Sequence, residues 1–217
     1  VRGFTLLELL VTSSIILVLI AISLPQLITM RTRGYVVAAR ANIRNLTVGI
    51  ESYFADHNRF PETKPRMPED PFGLLSDQQL SSLLAPSAYV ARECLRDPFG
   101  TIESQILQIR LTNGNDFPKV RQPNLQQSLL YFHYPSLANR LRLPSIRTNG
   151  SSVISIGPDR LDSLGAYRPF GEDVFLEHFP GTGITHPYDT VYDPTNGTSS
   201  SGDIGGYMGQ ARRFLRP

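Results

Sequence analysis

Phe4–Met30, FTLLELLVTSSIILVLIAISLPQLITM, is the stretch whose reading decides the fold. From Leu9 to Met30 it runs 22 residues without a charge. As a helix at 1.5 Å per residue it measures roughly 33 Å, about the thickness of a bilayer's hydrocarbon core. One acid, Glu8, stands near the start of this run. An ionisable side chain there costs on the order of 3 kcal/mol to insert, so Glu8 reads as a functional residue with a partner to be named. Gly3 and Phe4 come just before it, and Pro25 lies deep in the apolar run. Pro25 has no N–H to give the Ala21 carbonyl, which predicts a helix break, a bend or local melting at Leu24–Pro25.

Beyond Met30 the helical pattern continues. Val36, Ala39, Ile43, Leu46, Ile50, Tyr53 and His57 alternate steps of three and four, one apolar stripe, with Arg40, Arg44, Asn45 and Glu51 mostly off it. A helix over about 4–57 would be roughly 80 Å long, its lower half an anchor and its upper half packed on a domain. Asn58-Arg59-Phe60-Pro61 stops it, since Asn takes the left-handed cap and the residue before proline disfavours helix.

The whole chain has 217 residues, 41% hydrophobic and 18% charged, with a formal net charge of +2. Removing the anchor leaves enough chain for one domain with a real core. The charge is too mild to argue for nucleic acid, and none is expected as a partner. A single cysteine, Cys94, excludes any intrachain disulfide. The four histidines are scattered without metal-ligand spacing, and neither a nucleophile elbow nor a phosphate-cradling loop is present, so the chain reads as no enzyme.

Downstream, Glu62–Asp70 is a Pro-rich loop and Leu74–Leu84 a short helical pattern. Asp97-Pro98-Phe99-Gly100 predicts a tight turn with Pro at its second position and Gly at its fourth. Strands are expected at about Gln105–Leu111, Leu129–Tyr134 and Ser152–Ile156, each short, branched or aromatic, and bounded by Gly, Pro or Asn. Thr112–Gln127 reads as an insertion, and the chain after Asp159 as loop for some 45 residues.

Gly3-Phe4-Thr5-Leu6-Leu7-Glu8 resembles the type III signal of type IV pilins and type II secretion pseudopilins. The resemblance implies that a prepilin peptidase cuts after Gly3 and methylates the new N-terminus, Phe4. It places the family's acid on Glu8 and its proline on Pro25, where the family's filaments show an unwound segment. The freed amine of Phe4 has a reference pKa of about 8 and needs an anion in apolar surroundings. Phe4 and Glu8 are neighbours on one helix, but the family's model pairs Glu8 of one subunit with the Phe4 amine of the next, setting subunit registration. Ala39-Arg40, Ile43, Leu46, Tyr53, Asp56, Phe60 and Pro61 also fit a pseudopilin pattern, with Asn58 in place of its glycine. Asp97–Gly100 resembles the D-P-W-G of major pseudopilins, although the same tetrapeptide type stands at Asp70–Gly73.

Major pseudopilins also wrap a calcium ion in a loop. Ser155, Gly157, Asp159, Asp203 and Ile204 match that frame, with some 40 extra residues between its halves. The resemblance thus offers Asp159, Asp203 and Asp193 as oxygen ligands for Ca2+. The alternative is that these residues simply make turns.

The expected fold is α+β and pilin-like, a long N-terminal helix packed on a small antiparallel sheet with long C-terminal loops. Its divisions would be 1–3, a leader remnant; 4–30, the transmembrane and filament-core helix; and 31–217, a periplasmic or extracellular globular domain. The start at Val1 reads as an alternative start codon or a trimmed leader. Arg31, Arg33, Arg40 and Arg44 follow the anchor, and the positive-inside rule alone would put the domain in the cytoplasm; the family topology puts it outside the inner membrane. The family resemblance, closest to the major pseudopilin, implies a structural subunit of a type II secretion pseudopilus. Its partners would be other copies of itself, the prepilin peptidase, an assembly platform and ATPase, minor pseudopilins, and the membrane before assembly. The alternatives are a surface type IV pilus subunit for adhesion, motility or DNA uptake, a membrane-anchored binding module or enzyme, a plain membrane anchor, and a secretory signal cut near Ala21-Ile22-Ser23.

Overall fold

The stripe at alternating steps of three and four becomes the inner face of one helix, α1, Leu6–His57. It belongs to a computed structural model that describes residues 4–63, 79–100, 128–136, 149–158, 192 and 202–215. Val36, Ala39, Ile43, Leu46, Ile50 and Tyr53 are buried along this face, whereas Phe4 to Ile28 are all exposed. His57, the last member of the stripe, is exposed and stacks on Tyr53 at 4.1 Å between ring centroids. Asn58 ends the helix in the left-handed conformation, φ 52° and ψ 26°, its N–H donating to the Phe54 carbonyl. The local melting expected at Leu24–Pro25 does not occur in the single subunit: α1 runs through Pro25 as helix. A helix can absorb one proline at the loss of one hydrogen bond when nothing pulls its halves apart.

Three antiparallel strands form the sheet, in the order β1 (Leu130–His133), β2 (Gly150–Ser155), β3 (Ile204–Gly209). Tyr131 pairs with Val153, which pairs in turn with Gly206. β1 and β2 fall within two residues of their predicted bounds. The expected strand at Gln105–Leu111 and the insertion at Thr112–Gln127 lie outside the described residues. β3 was not expected; Ile204, read as the end of a loop, is its first residue.

α1 lies against β2 and β3, and Tyr131, Val153, Ile204 and Met208 join its stripe in the core. A glycine lets the strand come this close. A Cβ at Gly206 would stand 2.5 Å from Ile43 Cγ2 and 3.1 Å from Thr47 Oγ1. Tyr131 crosses the core and donates its hydroxyl to the Pro61 carbonyl at 2.6 Å, which ties the chain after α1 to the sheet. Burial pushes the Tyr131 phenol well above its ordinary pKa, so it stays a donor.

The opposite flank of α1 carries a helical turn, Arg92–Leu95, with Leu80, Leu83, Val90 and Leu95 buried beneath it. Of the helical pattern expected at Leu74–Leu84, the described part contains a 3-10 turn at Ser81–Leu83. Asn42 Nδ2 donates to the Arg96 carbonyl at 3.0 Å and fixes the flank to the helix.

The Asp97–Gly100 turn forms as predicted, with the Gly100 N–H donating to the Asp97 carbonyl at 3.0 Å. Its acid does more than turn the chain. Asp97 is buried and accepts from Phe99 N, Ser155 Oγ and Ile156 N at 3.0, 2.8 and 3.0 Å. One carboxylate thus pins this flank to the end of β2. Burial pushes its pKa above the ordinary carboxylate range, against the three hydrogen bonds, which pull it down.

Candidate functional site: the N-terminal segment and the flanks of the helix

Phe4 and Thr5 precede α1, and Thr5 is its N-cap, φ −83° and ψ 151°. Thr5 Oγ1 accepts from the Glu8 N–H at 3.2 Å, and Glu8 Oε2 accepts from both the Thr5 N–H and the Thr5 hydroxyl at 2.8 Å. This is a capping box, which satisfies two helix-end donors reciprocally and stops the helix short of Phe4. Phe4, 72% exposed, therefore stands outside the helical hydrogen bonding. Gly3 lies outside the described residues. Reading the sequence for charge alone misses Thr5, yet the signal is there: Thr5-Leu6-Leu7-Glu8 has the spacing of the box. Glu8 makes these contacts through Oε2, so Oε1 is left for a second partner.

The rest of the segment presents an apolar surface interrupted by Gln26. Thr12 donates its hydroxyl to the Glu8 carbonyl at 2.8 Å, Ser14 to Leu10 at 2.9 Å, Ser23 to Leu19 at 2.7 Å and Thr29 to Pro25 at 3.0 Å. Ser13 does the same to Leu10 at 3.0 Å. Each hydroxyl is satisfied within the helix, as a bilayer interior requires. The window of highest hydropathy in α1 is long and apolar enough to cross a membrane and has no residue buried within the subunit.

Higher up, both flanks of α1 carry charged side chains. Between α1 and β3 runs a groove of about 700 Å³, lined among others by Arg40, Arg44, Tyr192, Asp203 and Gly206. The Arg40 guanidinium lies 5.9 Å from the centroid of the Tyr192 ring. On the Asn42 side, the Arg92–Leu95 turn exposes both Arg92 and Glu93, with Arg96 exposed just beyond it.

Of the three carboxylates offered for calcium, Asp203 alone is described; Asp159 and Asp193 lie outside the described residues. Asp203 is buried just before β3, and its carbonyl accepts from the Tyr192 N–H at 2.9 Å. Among the described residues no group of three or more His, Cys, Asp or Glu is placed to hold a metal.

The sequence matches the family model for the prokaryotic N-terminal methylation motif over residues 1–24. No match was found among curated proteins or among solved structures. The match covers Gly3, Phe4, Thr5 and Glu8, and the last two form the capping box at the start of α1. Together with the 52-residue helix and the three-stranded antiparallel sheet, the motif supports a type IV pilin-like family, which includes the pseudopilins.

Proposed function

We propose that this chain is the structural subunit of a type II secretion pseudopilus. The observation that carries the reading is the methylation motif joined directly to the apolar N-terminal part of α1, whose most hydrophobic window has no residue buried in its own subunit. A surface of that size needs a partner, first lipid and then the helices of other copies. In this reading a prepilin peptidase cuts between Gly3 and Phe4, and the platform and ATPase draw subunits out of the inner membrane. Glu8 then receives the Phe4 amine of the next copy, while the domain stays on the periplasmic side. The single cysteine supports a pseudopilus over a disulfide-closed surface pilin.

The test is the intact mass and N-terminal sequence of the chain from its native host. A chain beginning at methylated Phe4 is expected; an uncut chain, or one beginning near Leu24, would remove the filament reading. Shearing the cells separates the two filaments, because long pili are released into the medium and a short pseudopilus is not.

Calcium enters here as a proposal resting on Asp203, whose buried carboxylate is an oxygen donor of the kind the ion takes. Bound calcium would tie the start of β3 to the chain around Asp159 and Asp193. A rise in melting temperature of the detergent-solubilised chain in calcium over chelator is expected. Equal values would count against it.

A further inference from the structure

We propose that the arginines just above the apolar segment bind the phosphates of anionic phospholipid headgroups and seat the domain on the membrane surface. The contact requires the membrane span of the reading above but not the filament. Between Glu8 and Glu51 the chain has no acid, yet Arg31, Arg33, Arg40 and Arg44 all fall there. All four are exposed. Among the described residues the ion pairs are Arg59–Glu62 and Arg212–Glu51, so none of the four has an ionic partner there. At 100° per residue Arg33, Arg40 and Arg44 fall in one row, and Arg31 stands on the opposite side of the helix. Side chains of a helix lean towards its N-terminus, here towards the bilayer. Arg31 and Arg33 rise roughly 1.5 and 4.5 Å above Met30, inside a headgroup layer about 6 Å deep, and Arg40 and Arg44 stand above it.

Arg31 is held ready for a phosphate. Its Nε donates to the Tyr35 hydroxyl at 2.9 Å, and its guanidinium carbon lies 5.5 Å from the centroid of that ring. Tyr35 in turn packs edge-to-face with Phe99, 5.9 Å between centroids, so the domain steadies the arginine through it. Both Nη groups remain, the fork that grips a phosphate with two hydrogen bonds. At Gly34 a Cβ would meet nothing within 4 Å, which leaves the approach open. The acids of the elements packed on this part of α1 do not compete. Asp97 and Asp203 are buried, and the Asp97 carboxylate already accepts three hydrogen bonds. Glu93 is exposed, but it stands in sequence between exposed Arg92 and Arg96. It also lies higher than Asn45, since Cys94 is level with Asn45 and Val90 with Gly49. A row of cations that begins inside the headgroup layer selects the membrane as its partner, because each arginine near an anionic surface adds an attraction that dies away within a Debye length.

The test uses the full chain reconstituted into vesicles of phosphatidylcholine and phosphatidylglycerol in equal parts. The vesicles are floated and extracted in mild detergent, and the lipid that stays on the chain is counted by native mass spectrometry. Wild type is expected to keep phosphatidylglycerol over phosphatidylcholine by at least roughly fivefold, the worth of one arginine at an anionic surface. Arg31→Gln/Arg33→Gln is expected to bring the two lipids near parity. Arg59→Gln/Arg92→Gln removes the same charge further from the bilayer and is expected to keep the preference. A loss as large in that control pair as in Arg31→Gln/Arg33→Gln would show that retention follows net charge alone, and it overturns the proposal. A wild-type chain that floats with the vesicles but keeps both lipids equally leaves the membrane span standing and removes the headgroup site. A wild-type chain that does not float removes both.

Discussion

On the proposed filament reading, Glu8→Gln is expected to stop polymer formation while the chain remains in the membrane with α1 intact. Glutamine at the third helical position still closes a capping box with Thr5, because it too accepts from the Thr5 N–H and hydroxyl. What it lacks is the charge. A cationic Phe4 amine left unpaired in an apolar setting costs on the order of 3 kcal/mol, which amounts to roughly a 100-fold loss in the assembly equilibrium. Thr5→Ala makes the reverse change. It removes the N-cap at about 1 kcal/mol but keeps the carboxylate, so polymer should fall only slightly. Immunoblots of cross-linked polymer from the two variants, with membrane fractionation as control, read both effects. Equal polymer from Glu8→Gln and wild type would show that the carboxylate serves the helix end alone.

The largest effect on stability is expected at Asp97. Asp97→Ala strips the acceptor from Phe99 N, Ser155 Oγ and Ile156 N together and leaves buried donors unpaired. The expected loss is about 3 kcal/mol, read by urea unfolding of the detergent-solubilised chain. Asp97→Asn keeps an acceptor for two of the donors but sets an N–H against the third, so it should fall between alanine and wild type. The pH dependence has a definite sign. Because burial raises the folded carboxyl above its unfolded value, the folded state binds the extra proton between the two pKa values. The Asp97 contribution is therefore fully present below the ordinary carboxylate pKa and is lost as pH rises through the folded value. Asp97→Asn should flatten that part of the pH–stability curve. An unchanged curve would mean that Asp97 titrates as an exposed acid does.

Much of the architecture could be read from local pattern. The stripe from Val36 to Tyr53 is all buried, and Asn58 takes the left-handed cap that its place before Phe60-Pro61 suggested. Helical periodicity and caps are short-range signals, so the sequence carries them openly. β3 was hidden for the opposite reason. Ile204-Gly205-Gly206-Tyr207-Met208-Gly209 holds three glycines, which weaken a strand by local propensity. Yet Gly206 is there because Ile43 and Thr47 press against it. A contact across some 160 positions overrides the local preference, and no pattern within β3 reveals it.

The candidate site divides along the same line. Phe4 and Glu8 stand out by spacing, and Thr5 could have been found by the box motif. Asp97 was legible as a turn but not as a clamp, since its partners Ser155 and Ile156 lie far along the chain. Pro25 shows the limit of a local rule, because a missing donor offered melting as one outcome where the single subunit keeps helical structure.

The self-satisfied hydroxyls of Thr12, Ser13, Ser14, Ser23 and Thr29 bear on the energetics of leaving the membrane. Glu8 and the exposed Gln26 apart, a segment whose hydroxyls are so satisfied meets acyl chains and the side chains of sister helices on nearly equal terms. Moving it from bilayer to filament core is then a transfer between two oils. Passing it through water would instead expose an apolar cylinder at a cost of tens of kcal/mol. On the proposed filament reading, a motor working on this subunit has little solvation work to do, provided that each copy slides directly from lipid onto the growing base without an aqueous stopover.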